Sequence, residues 1–244
     1  MFPRECKLPK LKILSIDGCR AAVLFSVSVV QSLSQLEQLT IRNCEELKHI
    51  ITEQEDGGDM NTGKEIVPAS HNSHLILPNL KSLYVGSCLK LESICPISCI
   101  EDLEKLESID LDIDFRLKYV FGQYDQRDHS SRQKNIQIQF PKLKELTLKG
   151  LYNLRRICPE KYHPRCPSLE KLQVLDCQNL PVLCIMIGME MGLLHLEGVF
   201  LKESQKKHFI LKLKELPKLK SVSTVPTPRQ SLSLHYLQEL NVTN

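Results

Sequence analysis

LPNLKSLYVGSCLKLESI, residues 77–94, contains the spacing on which the rest of the chain is built. Its apolar residues first alternate, as the buried residues of a short strand do, and then recur at intervals of three. In order they are Leu80, Leu83, Val85, Cys88, Leu91 and Ile94. Written as a template, the unit is L-x-x-L-x-L-x-x-C-x-x-L-x-x-I.

The same template recurs along the whole chain, complete or in part. Its other copies open at Leu11, Leu36, Leu106, Leu143, Leu169, His208 and Leu237. A repeat of this kind cannot bury its apolar face alone, so neighbouring copies must stack. We therefore predict a leucine-rich-repeat solenoid of the α/β class, formed as one domain over residues 1–244. It would have a concave parallel β-sheet of about seven to eight short strands and an irregular or helical convex side.

One template position is occupied by cysteine in four copies: Cys19, Cys44, Cys88 and Cys177. There the chain turns inward after the strand and leaves backbone groups in need of partners. Cysteine suits the position because it is small, apolar and a weak hydrogen-bond donor. We expect these four thiols to be buried, reduced and structural.

Several segments depart from the repeat. Residues 52–74 and 122–135 are polar and read as loop insertions between coils. Residues 20–35 predict a convex helix, and residues 155–166 a turn-rich return. A second convex helix, followed by a strand over residues 196–201, is expected within residues 182–201. The chain begins almost directly on a repeat and ends inside one, so we expect either a piece of a longer protein or a truncated gene product.

The composition excludes several function classes. A net charge of +3 over 244 residues gives no case for nucleic-acid or membrane attraction. The N-terminus lacks the apolar centre of a signal peptide, and the apolar run over residues 21–30 is too short to span a bilayer. The ten cysteines show no paired framework. A reducing, cytoplasmic location is therefore expected.

The motifs that could carry chemistry are weak. Residues 58–64, GDMNTGK, match G-x-x-x-x-G-K, but Glu65 stands where a phosphate loop needs Ser or Thr. Cys158, His163 and Cys166 lack a fourth metal ligand and a C-x-x-C pair. Nothing marks a catalytic nucleophile. We expect no enzyme activity, no cofactor and no metal.

The outward residues of the predicted concave sheet are the candidate site. They lie between the template positions, with charges of both signs, and would face another protein. The candidates are Lys12, Asp17, Gln38, Thr40, Arg42, Ser82, Tyr84, Ser108, Asp110, Asp112, Glu145, Thr147, Lys149, Lys171, Gln173, Lys212 and Lys214.

The repeats resemble those of plant intracellular nucleotide-binding leucine-rich-repeat disease-resistance proteins of the coiled-coil class. The resemblance rests on LSQLEQLTIRNCEELKHII, LPNLKSLYVGSCLKLESI, FPKLKELTLKGLYNLRRI and CPSLEKLQVLDCQNLPVL. It covers nearly the whole chain but only the C-terminal repeat region of such receptors, without the nucleotide-binding and signalling modules. It implies a sensor that binds a pathogen-derived or guarded host protein and that holds the missing nucleotide-binding module inactive.

Two other interpretations remain open. The substrate-binding repeats of an F-box-type ubiquitin-ligase adaptor also use a cysteine at this position, but they predict an upstream F-box. A secreted receptor ectodomain predicts a signal peptide and paired capping cysteines. Either feature upstream of the repeats would distinguish these classes from the immune-receptor interpretation.

Overall fold

The computed structural model describes residues 8–52, 76–114, 116–122, 136–159, 162–180, 199–200, 209–214, 222–223 and 237–243. Short strands dominate these ranges, with one α-helix and one 3₁₀ helix over Ile97–Asp102. In chain order the other elements are β1 (Ile13–Asp17), β2 (Val23–Ser26), α1 (Val27–Ser32), β3 (Gln38–Arg42), β4 (His49–Thr52), β5 (Ser82–Gly86), β6 (Ser108–Asp114), β7 (Ile136–Gln139), β8 (Glu145–Leu151), β9 (Tyr162–Arg165), β10 (Lys171–Leu175), β11 (Val199–Phe200), β12 (Phe209–Lys214), β13 (Val222–Ser223) and β14 (Leu237–Thr243).

Eight strands form one parallel sheet in the order β1-β3-β5-β6-β8-β10-β12-β14. Each strand pairs with the strand of the next repeat, so equivalent template residues lie side by side. Leu39 is paired with Leu14 on one side and Leu83 on the other, for example. The predicted leucine-rich-repeat sheet is thus confirmed, with a strand for every copy of the template.

The core lies behind this sheet and is built from the template residues. The first leucine of the unit is 0 to 2% exposed in five copies: Leu36, Leu80, Leu106, Leu143 and Leu169. In the first repeat, however, Leu11, Leu14 and Ile16 are only partly buried. Within the described part of the chain, β1 has a paired strand on one side only, which explains that difference.

The side opposite the sheet, here called the return side, contains more β-structure than predicted. Parallel pairs β2–β4, β7–β9 and β11–β13 lie there. The predicted helix over residues 20–35 is wrong in extent: α1 spans only Val27–Ser32, and Val23–Ser26 is a strand. The turn-rich return over residues 155–166 likewise contains a strand, β9. Stacked returns bring successive backbones alongside each other, and pairing satisfies their polar groups.

The structure describes only the first residue of each predicted insertion. Thr52 belongs to β4, and Gly122 is buried, its N–H donating to the Cys95 carbonyl at 3.0 Å. The rest of both insertions lies outside the described residues. So does the helix expected after residue 182, while the strand predicted over residues 196–201 is described at Val199–Phe200 only.

The end of each strand shows why the cysteine position exists. The residue after the strand is left-handed in several repeats, as at Asn43, Ser87 and Asp176 with φ of 53°, 54° and 57°. The N–H of Asn43 donates to the Gly86 carbonyl at 3.1 Å, and that of Ser87 to the Asp112 carbonyl at 2.9 Å. The chain then turns inward and places the cysteine beneath the strand.

Three of the four cysteines at this position are 0 to 1% exposed: Cys44, Cys88 and Cys177. The Cys44 thiol donates to the Arg42 carbonyl at 3.2 Å and accepts from the Cys19 N–H at 3.3 Å. The Cys88 thiol donates to the Gly86 carbonyl at 3.5 Å. Cys19 is only half-buried because it belongs to the first repeat. The predicted burial is confirmed in the other three copies.

Candidate interaction surface

The register arranges the outward residues of the sheet in three columns, which together we call the sheet face. The first column is Ile13, Gln38, Ser82, Ser108, Glu145 and Lys171. The second is Ser15, Thr40, Tyr84, Asp110, Thr147, Gln173 and Lys212, and the third is Asp17, Arg42, Gly86, Asp112, Lys149, Leu175 and Lys214. Every predicted candidate except Lys12 lies in these columns.

Lys12 lies outside the sheet face, so its prediction as an outward residue is wrong by one position. The position beside Gln38 is held by Ile13, whose side chain is 63% exposed. Lys12 lies before β1, and its ammonium is 3.3 Å from a carboxylate oxygen of Glu37. The error arises because the first leucine of the template precedes the strand and does not share its two-residue period.

Tyr84 lies near the middle of the sheet face and has a defined geometry. Its hydroxyl would be only 2.6 Å from a Cβ added at Gly86, so the ring extends over that glycine. The guanidinium carbon of Arg42 lies 4.7 Å from the ring centroid. A stacked arginine restrains the ring and holds a cation against it. Since Tyr and Arg are the residue types enriched at binding hot spots, this pair is the strongest feature of the face.

Charged groups lie next to this pair on β6 and β8. Burial, followed by the neighbouring Asp112 carboxylate, raises the pKa of Asp110. One oxygen of Asp112 is 3.4 Å from the Lys149 ammonium, and the other is buried without a hydrogen-bond partner among the described residues. On the next strand pair, Lys171 and Glu145 are 3.3 Å apart. The sheet face therefore contains charged groups that are partly removed from water and only partly hydrogen-bonded.

A row of alternating charges borders the first column and was missed by the sequence reading. The N–H of each member donates to the carbonyl of the member before it, and the series is Lys12, Glu37, Lys81, Glu107, Lys144 and Glu170. Glu37 contacts Lys81 at 2.7 Å, and Glu107 contacts Lys144 at 2.8 Å. Hydrogen bonds from these lysines lower the pKa of both glutamates. We call this row the charge ladder. The sequence contains the information needed to find the charge ladder, because each of its members directly follows the first leucine of a repeat.

Other sites that could carry chemistry are small or apolar. A cavity of about 20 Å³ between the second and third repeats, lined by Leu39, Ile50 and Cys95 among others, offers room for one water-sized guest. Within the described ranges, no three His, Cys, Asp or Glu side chains are grouped as a metal ion requires. Among the same residues, no helix is long and apolar enough to cross a membrane.

The fold and face define the class: a leucine-rich-repeat solenoid that presents a polar, aromatic-centred sheet. The family model described as "Plant disease resistance protein RPS2-like, leucine-rich repeats" matches residues 2–71 and 123–244. The chain belongs to this family. Comparisons with curated proteins and with solved structures found no match. Residues 72–122 lie outside the family match, yet β5 and β6 pair in register with the strands on either side.

Proposed function

We propose that this chain is a protein-recognition module, the sensor region of a plant innate immune receptor. Its sheet face would bind a pathogen-derived protein or a guarded host protein. The observation that carries the proposal is the Arg42–Tyr84 pair, which provides a restrained aromatic surface at the centre of a polar face. Membership of the disease-resistance repeat family supplies the biological context.

The proposal extends to the receptor in which such a repeat region would function. We infer that the chain serves a receptor of the nucleotide-binding, coiled-coil class and restrains its nucleotide-binding module when no partner is bound. It would act by binding and not by catalysis, in the reducing environment of the cytoplasm. The eight described cysteines are all free thiols, and seven of them are buried, which suits such an environment.

The test begins with a binding selection against two libraries, one of proteins secreted by plant pathogens and one of host proteins. Each selected binder is then measured against the triple variant R42A/Y84A/D112A. We expect that variant to lose binding while its circular dichroism and melting temperature show a folded chain. The control, K48A/K118A/R155A, changes three exposed residues on the return side and should bind normally. Binders that keep full affinity for the triple variant would remove the sheet face from the account.

A further inference from the structure

The columns of the sheet face divide it into two halves of opposite charge. On β1, β3, β5 and β6 the outward charged residues are three carboxylates and one guanidinium: Asp17, Asp110, Asp112 and Arg42. On β8, β10 and β12 they are four lysines and one carboxylate: Lys149, Lys171, Lys212, Lys214 and Glu145. The linear sequence shows both signs interspersed, and the division emerges once the outward residues are separated from the rest.

An ion pair lies at the boundary between the two halves. Asp112, the last outward residue of β6, is 3.4 Å from Lys149 on β8. The lysines of this half are accessible to solvent: the side chains of Lys149 and Lys171 are 47% and 35% exposed, Lys214 is exposed and Lys212 is half-buried. Asp176 follows β10 in the turn outside the columns, where its N–H donates to the Lys214 carbonyl at 3.0 Å.

The charge ladder makes no contribution to this division. Along it each lysine is followed by a glutamate, so its charges cancel locally across both halves. Among the described residues of the three columns, charge is therefore mainly positive on β8 to β12 and mainly negative on β1 to β6. A face of this kind orients an approaching protein, because opposite charges attract it at one end and like charges repel it at the other.

We propose that β8, β10 and β12 bind an acidic segment of the partner protein, so that the lysine half of the face sets the partner's orientation. This inference rests on the proposed function, since it names the chemistry of the partner that the sheet face would recognise. We take this segment to be extended, with carboxylates on alternate residues. Side chains on the same face of an extended segment recur about every 6.6 Å, and strands in the sheet lie about 4.8 Å apart. A segment that crosses the strands can therefore bring its carboxylates to lysines on more than one strand.

The experiment uses peptide probes of about eight residues, long enough to cross the three strands when extended. One alternates Glu with Ser, and two matched probes replace Glu by Gln or by Lys. Binding to the full chain is measured by isothermal titration calorimetry at about 50 mM and about 300 mM NaCl. We expect the Glu probe alone to bind, with affinity falling as salt rises.

Two charge-reversal variants localise that binding. K212E/K214E should weaken binding of the Glu probe at least about tenfold, because two attractions become repulsions. K48E/K118E makes the same change in net charge on the return side and should leave the affinity within about twofold. Melting curves of both variants establish that they are folded.

The outcomes separate this inference from the proposed function. Equal binding of the Glu and Lys probes, or equal loss in the two variants, would overturn the acidic-segment proposal. If library binders depend on Arg42, Tyr84 and Asp112 but bind K212E/K214E normally, the sheet face still recognises protein and only the proposed chemistry fails. If those binders ignore the triple variant, the proposed function itself fails.

Discussion

The Arg42 guanidinium and the Tyr84 ring stack across neighbouring strands, with 4.7 Å between the guanidinium carbon and the ring centroid. The two residues are in different columns of the sheet face, on β3 and β5. The ring can extend toward the third column because Gly86 has no side chain to block it. An arginine, a tyrosine and a glycine thus form one structural unit across two repeats.

Replacing Gly86 by alanine should disrupt this unit with little effect on stability. The added Cβ would meet the Tyr84 hydroxyl at 2.6 Å, so the ring would have to move outward, which the far end of a side chain can do at low cost. We expect the free energy of unfolding to change by less than about 1 kcal/mol, and binding through the sheet face to weaken. The Tyr84 aromatic signals in NMR spectra report the displacement. Unchanged Tyr84 chemical shifts in G86A would contradict the position of the ring over Gly86. The control is S15A, which changes an exposed outward residue.

Cys88 provides the test of the buried cysteine position. In the wild-type chain Cys88 is 1% exposed, and its thiol donates a hydrogen bond to the Gly86 carbonyl. Cys88→Asp places a carboxylate at this buried position. We expect a loss of about 1–3 kcal/mol in the free energy of unfolding, measured by urea denaturation. Cys19→Asp is the matched control and should cost less, because Cys19 is half-buried. An unaltered unfolding midpoint for C88D would show that the position tolerates charge.

The charge ladder predicts a pH dependence. The pKa of Glu37 is lowered, first by hydrogen bonds from Lys81 and Lys12. A depressed carboxyl pKa stabilises the fold above the unfolded value of about 4.3, and this contribution disappears as pH falls through the folded value. Wild type should therefore melt above E37Q at pH 7, and the two should converge in acid. E104Q, an exposed glutamate outside the ladder, is the control. A difference between E37Q and wild type that persists in acid would exclude the ion pairs as its cause.

Thiol reactivity should separate Cys19 from the other described cysteines. Burial raises the pKa of Cys166 and of Cys177 to about 12, and also raises that of Cys95. Since the thiolate is the reactive form, these groups should react with a disulfide reagent only after unfolding. In a C6S/C184S background, mass spectrometry of the native protein at pH 8 should find Cys19 modified first. Rapid native modification of Cys95 would contradict its burial.

Sequence reasoning predicted the core well because burial in a sheet follows a simple period. The template residues that alternate, such as Leu83 and Val85, are the ones that point inward. Their recurrence implied stacking, and stacking implied a parallel sheet. The cysteine position followed from the same repeat.

The return side and the details of the sheet face were harder to predict. Tyr162–Arg165 contains histidine and proline and looks like a turn, yet it pairs with β7 because the neighbouring return presents free backbone groups. Arg42 and Tyr84 are far apart in sequence, so their stacking depends on register. The charge ladder could have been found, since aligning the repeats places lysine and glutamate alternately in one position.

The most direct test of recognition by the sheet face is site-specific photo-cross-linking to a selected binder. A benzophenone amino acid is placed at Tyr84 in one variant and at Lys118, an exposed return-side residue, in another. Mass spectrometry then locates the cross-links. We expect an efficient cross-link from position 84 that excess unlabelled chain suppresses, and little cross-linking from position 118. Cross-linking from position 118 with none from position 84 would contradict it and assign recognition to the return side.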